Sequence, residues 1–213
     1  MTGRTVTDRT VTGRIVILNG APRAGKSAIA RAMQQTLAGT WITLGVDGAM
    51  AAQPPGIAPG IGLRPGGERP DLEPLVQTLY GALFDSIAAH ARAGLDVASD
   101  LGLHDAHSRP LGLLADAVRR LDGLPVLFVG VTAPLQTIMV RRNAEPRGGF
   151  YAAGPTVPPA VRLWQEAPHA HGVYDLVLDT STVTPEQGAA QIGTLLQHWP
   201  EPTAFARLAR TMA

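Results

Sequence analysis

The 213-residue chain contains no cysteine, which excludes disulfides and thiolate-held metals and suits a reducing cytoplasm. It has little net charge, +1, and so offers no general attraction to nucleic acid or to an anionic membrane surface. No basic track runs along it, which argues against a phosphodiester backbone as partner. No apolar run is long enough to span a bilayer. Aromatic residues make up only 5%, and the three tryptophans are scattered, as packing residues would be. Lysine is the scarcest basic residue. Of the 18 Lys and Arg side chains, a single one, Lys26, is lysine.

That lysine stands in Gly20-Ala21-Pro22-Arg23-Ala24-Gly25-Lys26-Ser27, which fits G-x-x-x-x-G-K-[ST], the Walker A or P-loop pattern. Such a loop needs a compact ammonium that can reach between phosphate oxygens, and the larger planar fork of arginine replaces it poorly. The flanks agree. Residues 14–19, with the run Ile15-Val16-Ile17-Leu18, read as a buried parallel strand. Ser27 to Leu37 reads as a helix with apolar positions at 29, 33 and 37. A strand, a glycine turn and a helix N-terminus aim several backbone N–H groups, and the helix dipole, at one anion. Residues 20–28, through Ala28, are therefore the candidate phosphate cradle.

Length and an apolar content of 45% fit one α/β domain with a sizeable core. Residues 1–13 are Thr- and Arg-rich and read as a flexible leader, 14–199 as the domain, and 200–213 as a peripheral tail. Strands are expected at 41–46, 95–99, 125–131 and 174–179. Helices are expected at 72–92, 110–121, 135–144, 160–166 and 185–199. Strand–helix alternation predicts a parallel sheet with helices on both faces, a three-layer α/β/α architecture. Residues 51–70 are rich in Pro and Gly, and Gly60–Gly67 reads as a small hairpin or flap.

Ligands of such sheets bind beyond the carboxyl ends of the strands. Asn19-Gly20, Asp47, Asp100, Val131-Thr132 and Asp179-Thr180 lie there. Lys26 is expected to bridge the β- and γ-phosphates of ATP. Ser27 is expected to give its hydroxyl to Mg²⁺, and Asp100 to hold the metal's water shell. Asp47 is the candidate general base toward a substrate hydroxyl, with capping of a helix near Gly48 as its structural alternative. Arg141, Arg142 and Arg147 flank a glycine-rich stretch that could close over the nucleotide and stabilise charge on the transferred group. Arg23, inside the loop, is a further phosphate contact. His104 and His107, and His169 and His171, lack the spacing of a zinc site and read as surface or loop residues.

The same residues resemble the chloramphenicol phosphotransferase-like family. The resemblance rests on Ile17-Leu18-Asn19-Gly20 leading into Ala24-Gly25-Lys26-Ser27, and on Leu44-Gly45-Val46-Asp47. It extends to Asp100, Phe128-Val129-Gly130-Val131, Arg141-Arg142 and Val173 to Thr180, and so spans most of residues 14–198. It implies a P-loop kinase fold with a five-stranded parallel sheet and a lid. It also implies transfer of the ATP γ-phosphate to a hydroxyl of chloramphenicol or another small molecule. In that family's terms Asp47 is the base, Arg141 and Arg147 are lid arginines, and Gly25, Lys26 and Ser27 hold phosphate and magnesium. The chain departs from the family in its Pro/Gly-rich 51–70 segment, which would line the acceptor site, and in having Leu101 after Asp100 where a second acid is common.

Two other readings stand beside this one. A metabolic kinase of the shikimate or adenylylsulfate type would use the same loop with a different acceptor pocket. A nucleotide-binding regulatory module would bind without transfer. A GTPase is disfavoured, because the N-K-x-D guanine reader needs a second lysine. The sequence leaves self-association open.

Overall fold

The computed structural model of the chain describes residues 12–145 and 152–212. Residues 1–11 of the expected leader lie outside that range, as does Arg147. Five strands, β1 (Ile15–Asn19), β2 (Trp41–Gly45), β3 (Asp96–Leu101), β4 (Val126–Thr132) and β5 (Leu176–Asp179), form one sheet in the order β2-β3-β1-β4-β5. Every pairing is parallel. Such a sheet must be covered on both faces, and β1, its centre, is buried at all five positions.

Alternation along β1 divides the core. Ile15 and Ile17 point into a layer shared with α3 (Glu73–Arg92), α4 (Leu113–Arg120) and α8 (Ala204–Met212). Val16 and Leu18 point into the opposite layer, with α1 (Lys26–Thr36) and α7 (Pro185–Gln197). Three shorter or outlying helices complete the set: α2 (Val46–Ala51), α5 (Leu135–Ala144) and α6 (Pro159–Leu163). No helix among the described residues is long and apolar enough to cross a membrane.

Several boundaries differ from the sequence expectation for identifiable reasons. Asp96, which weakens the strand pattern of β3, is accommodated by Arg14: the guanidinium lies 2.6 Å from its carboxylate, and the Arg14 backbone N–H donates to it at 2.7 Å. The Gly60–Gly67 segment is no hairpin. Two 3-10 turns, Pro55–Ile57 and Gly60–Gly62, carry Ile61 and Leu63 into the core beside α3. The buried face of α3 runs through Val76, Tyr80, Phe84 and Ile87, whereas Leu75 and Leu79 are only half-buried.

The expectation of a peripheral tail does not hold for residues 204–212. They form α8, and Ala204, Phe205 and Leu208 are buried. Phe205 meets Phe128 of β4 edge-to-face at 5.2 Å. Burying two such side chains contributes about 1.5–3 kcal/mol each. The buried carboxylate of Asp175 accepts the backbone N–H groups of Phe128 at 2.8 Å and Ala204 at 2.6 Å. Burial pushes that carboxyl upward, and these two donors and Arg207 oppose the shift.

Candidate active site

The end of β1 delivers the chain into the loop under tight steric control. A Cβ on Gly20 would lie 2.1 Å from the Val131 carbonyl oxygen of neighbouring β4, so only glycine lets the chain pass there. Gly25 has φ 100° and serves as N-cap of α1 without a side-chain cap. The first turn of α1 carries no acidic residue. Its N–H groups therefore face the loop uncompensated by protein side chains, as an anion site requires. Arg23 is the one described non-glycine residue with positive φ, 68°, a conformation costing about 1–2 kcal/mol. Its guanidinium is fixed at 2.7 Å to both the carboxylate and the carbonyl of Glu145.

Lys26 is buried, and its ammonium lies 3.0 Å from the Gly20 carbonyl, 2.9 Å from that of Ala21 and 3.3 Å from the Asp100 carboxylate. Ser27 donates its hydroxyl to the other Asp100 oxygen. Register explains the meeting: Asp100 is paired with Leu18 on β1, so β3 releases its acid beside the start of the loop. Asn19, fully buried, locks that arrangement. Its amide accepts the Leu103 N–H at 2.7 Å and donates to the Pro168 carbonyl at 2.7 Å and the Tyr174 hydroxyl at 2.9 Å.

A cleft of about 540 Å³ opens over this point. One flank is polar. Arg141 of α5 donates to the Arg23 carbonyl at 3.1 Å and to the hydroxyl and carbonyl of Thr180 at 2.8 Å each. Thr180 in turn donates to the Ala24 carbonyl at 2.7 Å. The other flank is apolar: Val46 and Met50 of α2, Ile61 and Leu63, Tyr80 of α3, and Trp164. Asp47 lies in the first turn of α2 and lines the cleft on this side. The N-cap of α2 is Gly45, with no side-chain cap bond, so Asp47 does not cap the helix near Gly48.

Of the expected site residues, Gly20, Pro22, Arg23, Gly25, Lys26, Ser27, Ala28, Asp47, Asp100 and Arg141 all line the cleft. Ala21 and Ala24 are buried beneath the loop and present only their carbonyls. Arg142 is a correction. It is 6% exposed and donates to the Ala152 carbonyl at 3.0 Å, beside Ile138 and Val161 behind the loop. Neighbouring helical positions diverge by about 100°, and of the two only Arg141 lines the cleft. Thr180, Tyr80 and Trp164 were not singled out in the sequence. Only the strand-end position of Thr180 carried a signal.

His104, His107, His169 and His171 lie on connections between the main helices and strands, as expected, but none of the four is exposed. His104 is buried, stacks on His107 at 4.3 Å and meets Trp164 edge-on at 4.8 Å. Burial, and then His107, hold it down at about 3. His169 lies 2.7 Å from the Tyr174 hydroxyl and is held at about 4, chiefly by burial. Both rings are neutral at neutral pH, and neither lines the cleft.

A parallel 2-3-1-4-5 sheet with a lysine-bearing glycine loop after its central strand and an acid at the end of the adjacent one defines a P-loop phosphotransferase. Residues 13–197 match the chloramphenicol phosphotransferase-like proteins, and the chain belongs to that family. It is an enzyme of the kinase, or O-phosphotransferase, class. Two Mycobacterium tuberculosis relatives, provisionally named O-phosphotransferases, are each 29% identical over 210 residues, covering 92% of this chain and 88% of theirs. Solved structures share the fold. An APS kinase from Mycobacterium tuberculosis, in complex with AMPPNP and APS, superposes with TM-score 0.59 at 19% identity, covering 87% of this chain and 98% of that one. Shikimate kinase from Acinetobacter baumannii, in complex with shikimate, gives 0.57 at 14% identity, with coverages of 88% and 95%.

Proposed function

We propose that the cleft transfers the γ-phosphate of ATP to a hydroxyl of a small molecule. The observation that carries this is the convergence of Lys26, Ser27 and Asp100 at the cleft floor with Asp47 lining the wall beyond. The loop N–H groups and the Lys26 ammonium bind the β- and γ-phosphate oxygens. Asp47 accepts the proton of the acceptor hydroxyl as its oxygen bonds to the γ-phosphorus. The bond from that phosphorus to the β–γ bridging oxygen breaks, and ADP leaves as the phosphate monoester forms. Arg141, held by Thr180, is placed to neutralise charge on the transferred group.

The Ser27–Asp100 pair fits magnesium. Among the described residues no cluster of three or more acidic or histidine side chains could hold a metal, but Mg²⁺ needs only one or two carboxylates when phosphates and waters supply its other ligands. Ser27 and Asp100 would hold it, and when bound there it would neutralise phosphate charge. The antibiotic chloramphenicol is one acceptor to test, with drug inactivation as the consequence. A cytoplasmic setting is part of the same reading, since ATP is the donor and a chain without cysteine suits a reducing compartment.

The test is ATP consumption measured against a library of hydroxyl compounds, with Asp47→Asn alongside. Turnover should fall about 10²-fold, within the range for a general base, while ATP affinity stays within a factor of two or so. Full activity in Asp47→Asn would remove it as the base. Nucleotide binding with neither transfer nor slow hydrolysis would favour a regulatory module instead.

A further inference from the structure

Residue 23, at the turn of the phosphate loop, is gripped by α5 in both directions. Arg141 of α5 donates to the Arg23 carbonyl at 3.1 Å. One helical turn further on, directly after the last residue of α5, Glu145 receives the Arg23 guanidinium: its carboxylate and its carbonyl each accept a hydrogen bond at 2.7 Å. Positions four apart share a helix face, so a single face of α5 holds both the backbone and the side chain of one loop residue.

The loop is bent to make this contact. Arg23 adopts φ 68°, the left-handed region, and such backbone persists where its surroundings over-determine it, most often at functional sites. Stability does not account for the bend. The Arg23 side chain is 16% exposed but that of Glu145 is 73% exposed, and an ion pair so open to water contributes little. Phosphate binding does not account for it either, because two guanidinium nitrogens are already committed to Glu145. What the grip does fix is Arg141. Thr180 holds that guanidinium toward β5 through its hydroxyl and carbonyl, and residue 23 holds it toward the loop.

We propose that Arg23 is a positioning residue: through Glu145 it seats the end of α5 on the phosphate loop and so sets where Arg141 meets the transferring phosphoryl group. The proposal rests on the phosphotransfer reading of the cleft and adds a residue that acts on the reaction through another. Removing Arg141 deletes a charge that attracts ATP. Unseating it leaves the charge in place but out of line, and a misplacement of about 1 Å can cost about 10²-fold in rate. The signature of Arg23 is therefore in kcat, with nucleotide affinity spared.

The experiment uses the full chain and the variants Arg23→Ala, Glu145→Ala and the two combined. Turnover is ADP release from ATP and magnesium, with water and with chloramphenicol as acceptors. Nucleotide affinity is calorimetry with AMPPNP, and melting temperatures are recorded throughout. Arg23→Ala should lower kcat about tenfold or more. Glu145→Ala should lower it about threefold, since the carbonyl of residue 145 still accepts from Arg23. The combined variant should be no slower than Arg23→Ala, as expected of residues acting as one unit. AMPPNP affinity should stay within about twofold in all three.

A phosphate ligand would give the opposite pattern: AMPPNP would bind about tenfold more weakly to Arg23→Ala and more tightly to Glu145→Ala, where the guanidinium is released. That result overturns the proposal. So does a lowered melting temperature with kcat intact, which would make the ion pair purely structural, and so do losses that add in the combined variant. Should Arg23→Ala fail to fold, Glu145→Ala at its exposed position carries the test alone, through the same split between kcat and AMPPNP affinity. A wild type that binds AMPPNP but releases no ADP with either acceptor would instead remove the phosphotransfer reading, and this role with it.

Discussion

The two flanks of the cleft are built by opposite means. On the side of α5 and β5, position is fixed by hydrogen bonds. Arg141 spans the Arg23 carbonyl and Thr180, Thr180 reaches the Ala24 carbonyl, and Arg23 is clamped by Glu145. On the side of α2 and α3, shape is fixed by packing of Ile61, Leu63 and Tyr80 against the core. A hydrogen-bonded wall holds a few donors at set points, which suits a ligand group that never varies. A packed wall defines a volume, which can be re-cut by side-chain exchange without disturbing the donors opposite. On the proposed reading, one half serves the phosphate and the other whatever acceptor its contour admits.

Substitutions can break that contrast, and the floor shared by both flanks gives the largest effect. Lys26→Ala should reduce kcat about 10³-fold, since it removes a charge aimed at the transferring group. A loss under tenfold in steady-state kinetics would mean that the loop, not the lysine, does the work. Next, Ile61→Ala should destabilise the fold by about 2–4 kcal/mol by leaving a cavity. It should also alter acceptor KM while leaving ATP KM unmoved; denaturant melts and kinetics together check this, and a parallel rise in both constants would erase the division between flanks. Arg141→Ala should do the reverse, raising ATP KM about tenfold, the value of one charge-assisted bond, with acceptor KM unchanged.

The effect furthest from the cleft concerns acid. The folded state holds His104 at about 3 by burial, below the ordinary 6.5 of an unfolded chain. The unfolded state therefore takes up its proton first, and stability falls as pH drops from 6.5 toward 3. The contribution is about 1.4 kcal/mol per pH unit inside that window. His104→Gln should be less stable at pH 7 yet show a shallower acid slope. An unchanged slope in melts at pH 4, 5 and 6 would place the proton elsewhere.

Much of the polar flank and the floor was legible in the sequence, because the loop motif carries its chemistry in consecutive residues. Asp100 was legible as a strand end, though its contact with Ser27 depends on the β1–β3 register. The apolar flank was not legible. Of the helical spacing Leu75, Leu79, Leu83, Ile87 and Ala91, the last three are buried, but the same face also takes in Val76, Tyr80 and Phe84, which that spacing does not contain. Ile61 and Leu63 sit in a Pro- and Gly-rich stretch whose composition resembles a loose loop, and only their burial beside α3 shows otherwise. Arg142 misled because adjacency in sequence is divergence on a helix. The helix after Pro202 was missed although Ala204, Phe205 and Leu208 have the right spacing, since nothing local says which surface they cover.

That last helix has a consequence for how the protein is cut. The family match ends at residue 197, but the folding unit does not. A chain trimmed to the shared portion would leave Phe128 bare on one edge and would take from Asp175 a backbone donor it holds at 2.6 Å. A carboxylate already uneasy in its burial would lose half its anchorage at the back of the sheet, far from any reacting atom. The family match stops short of α8, yet the sheet it spans is packed against that helix.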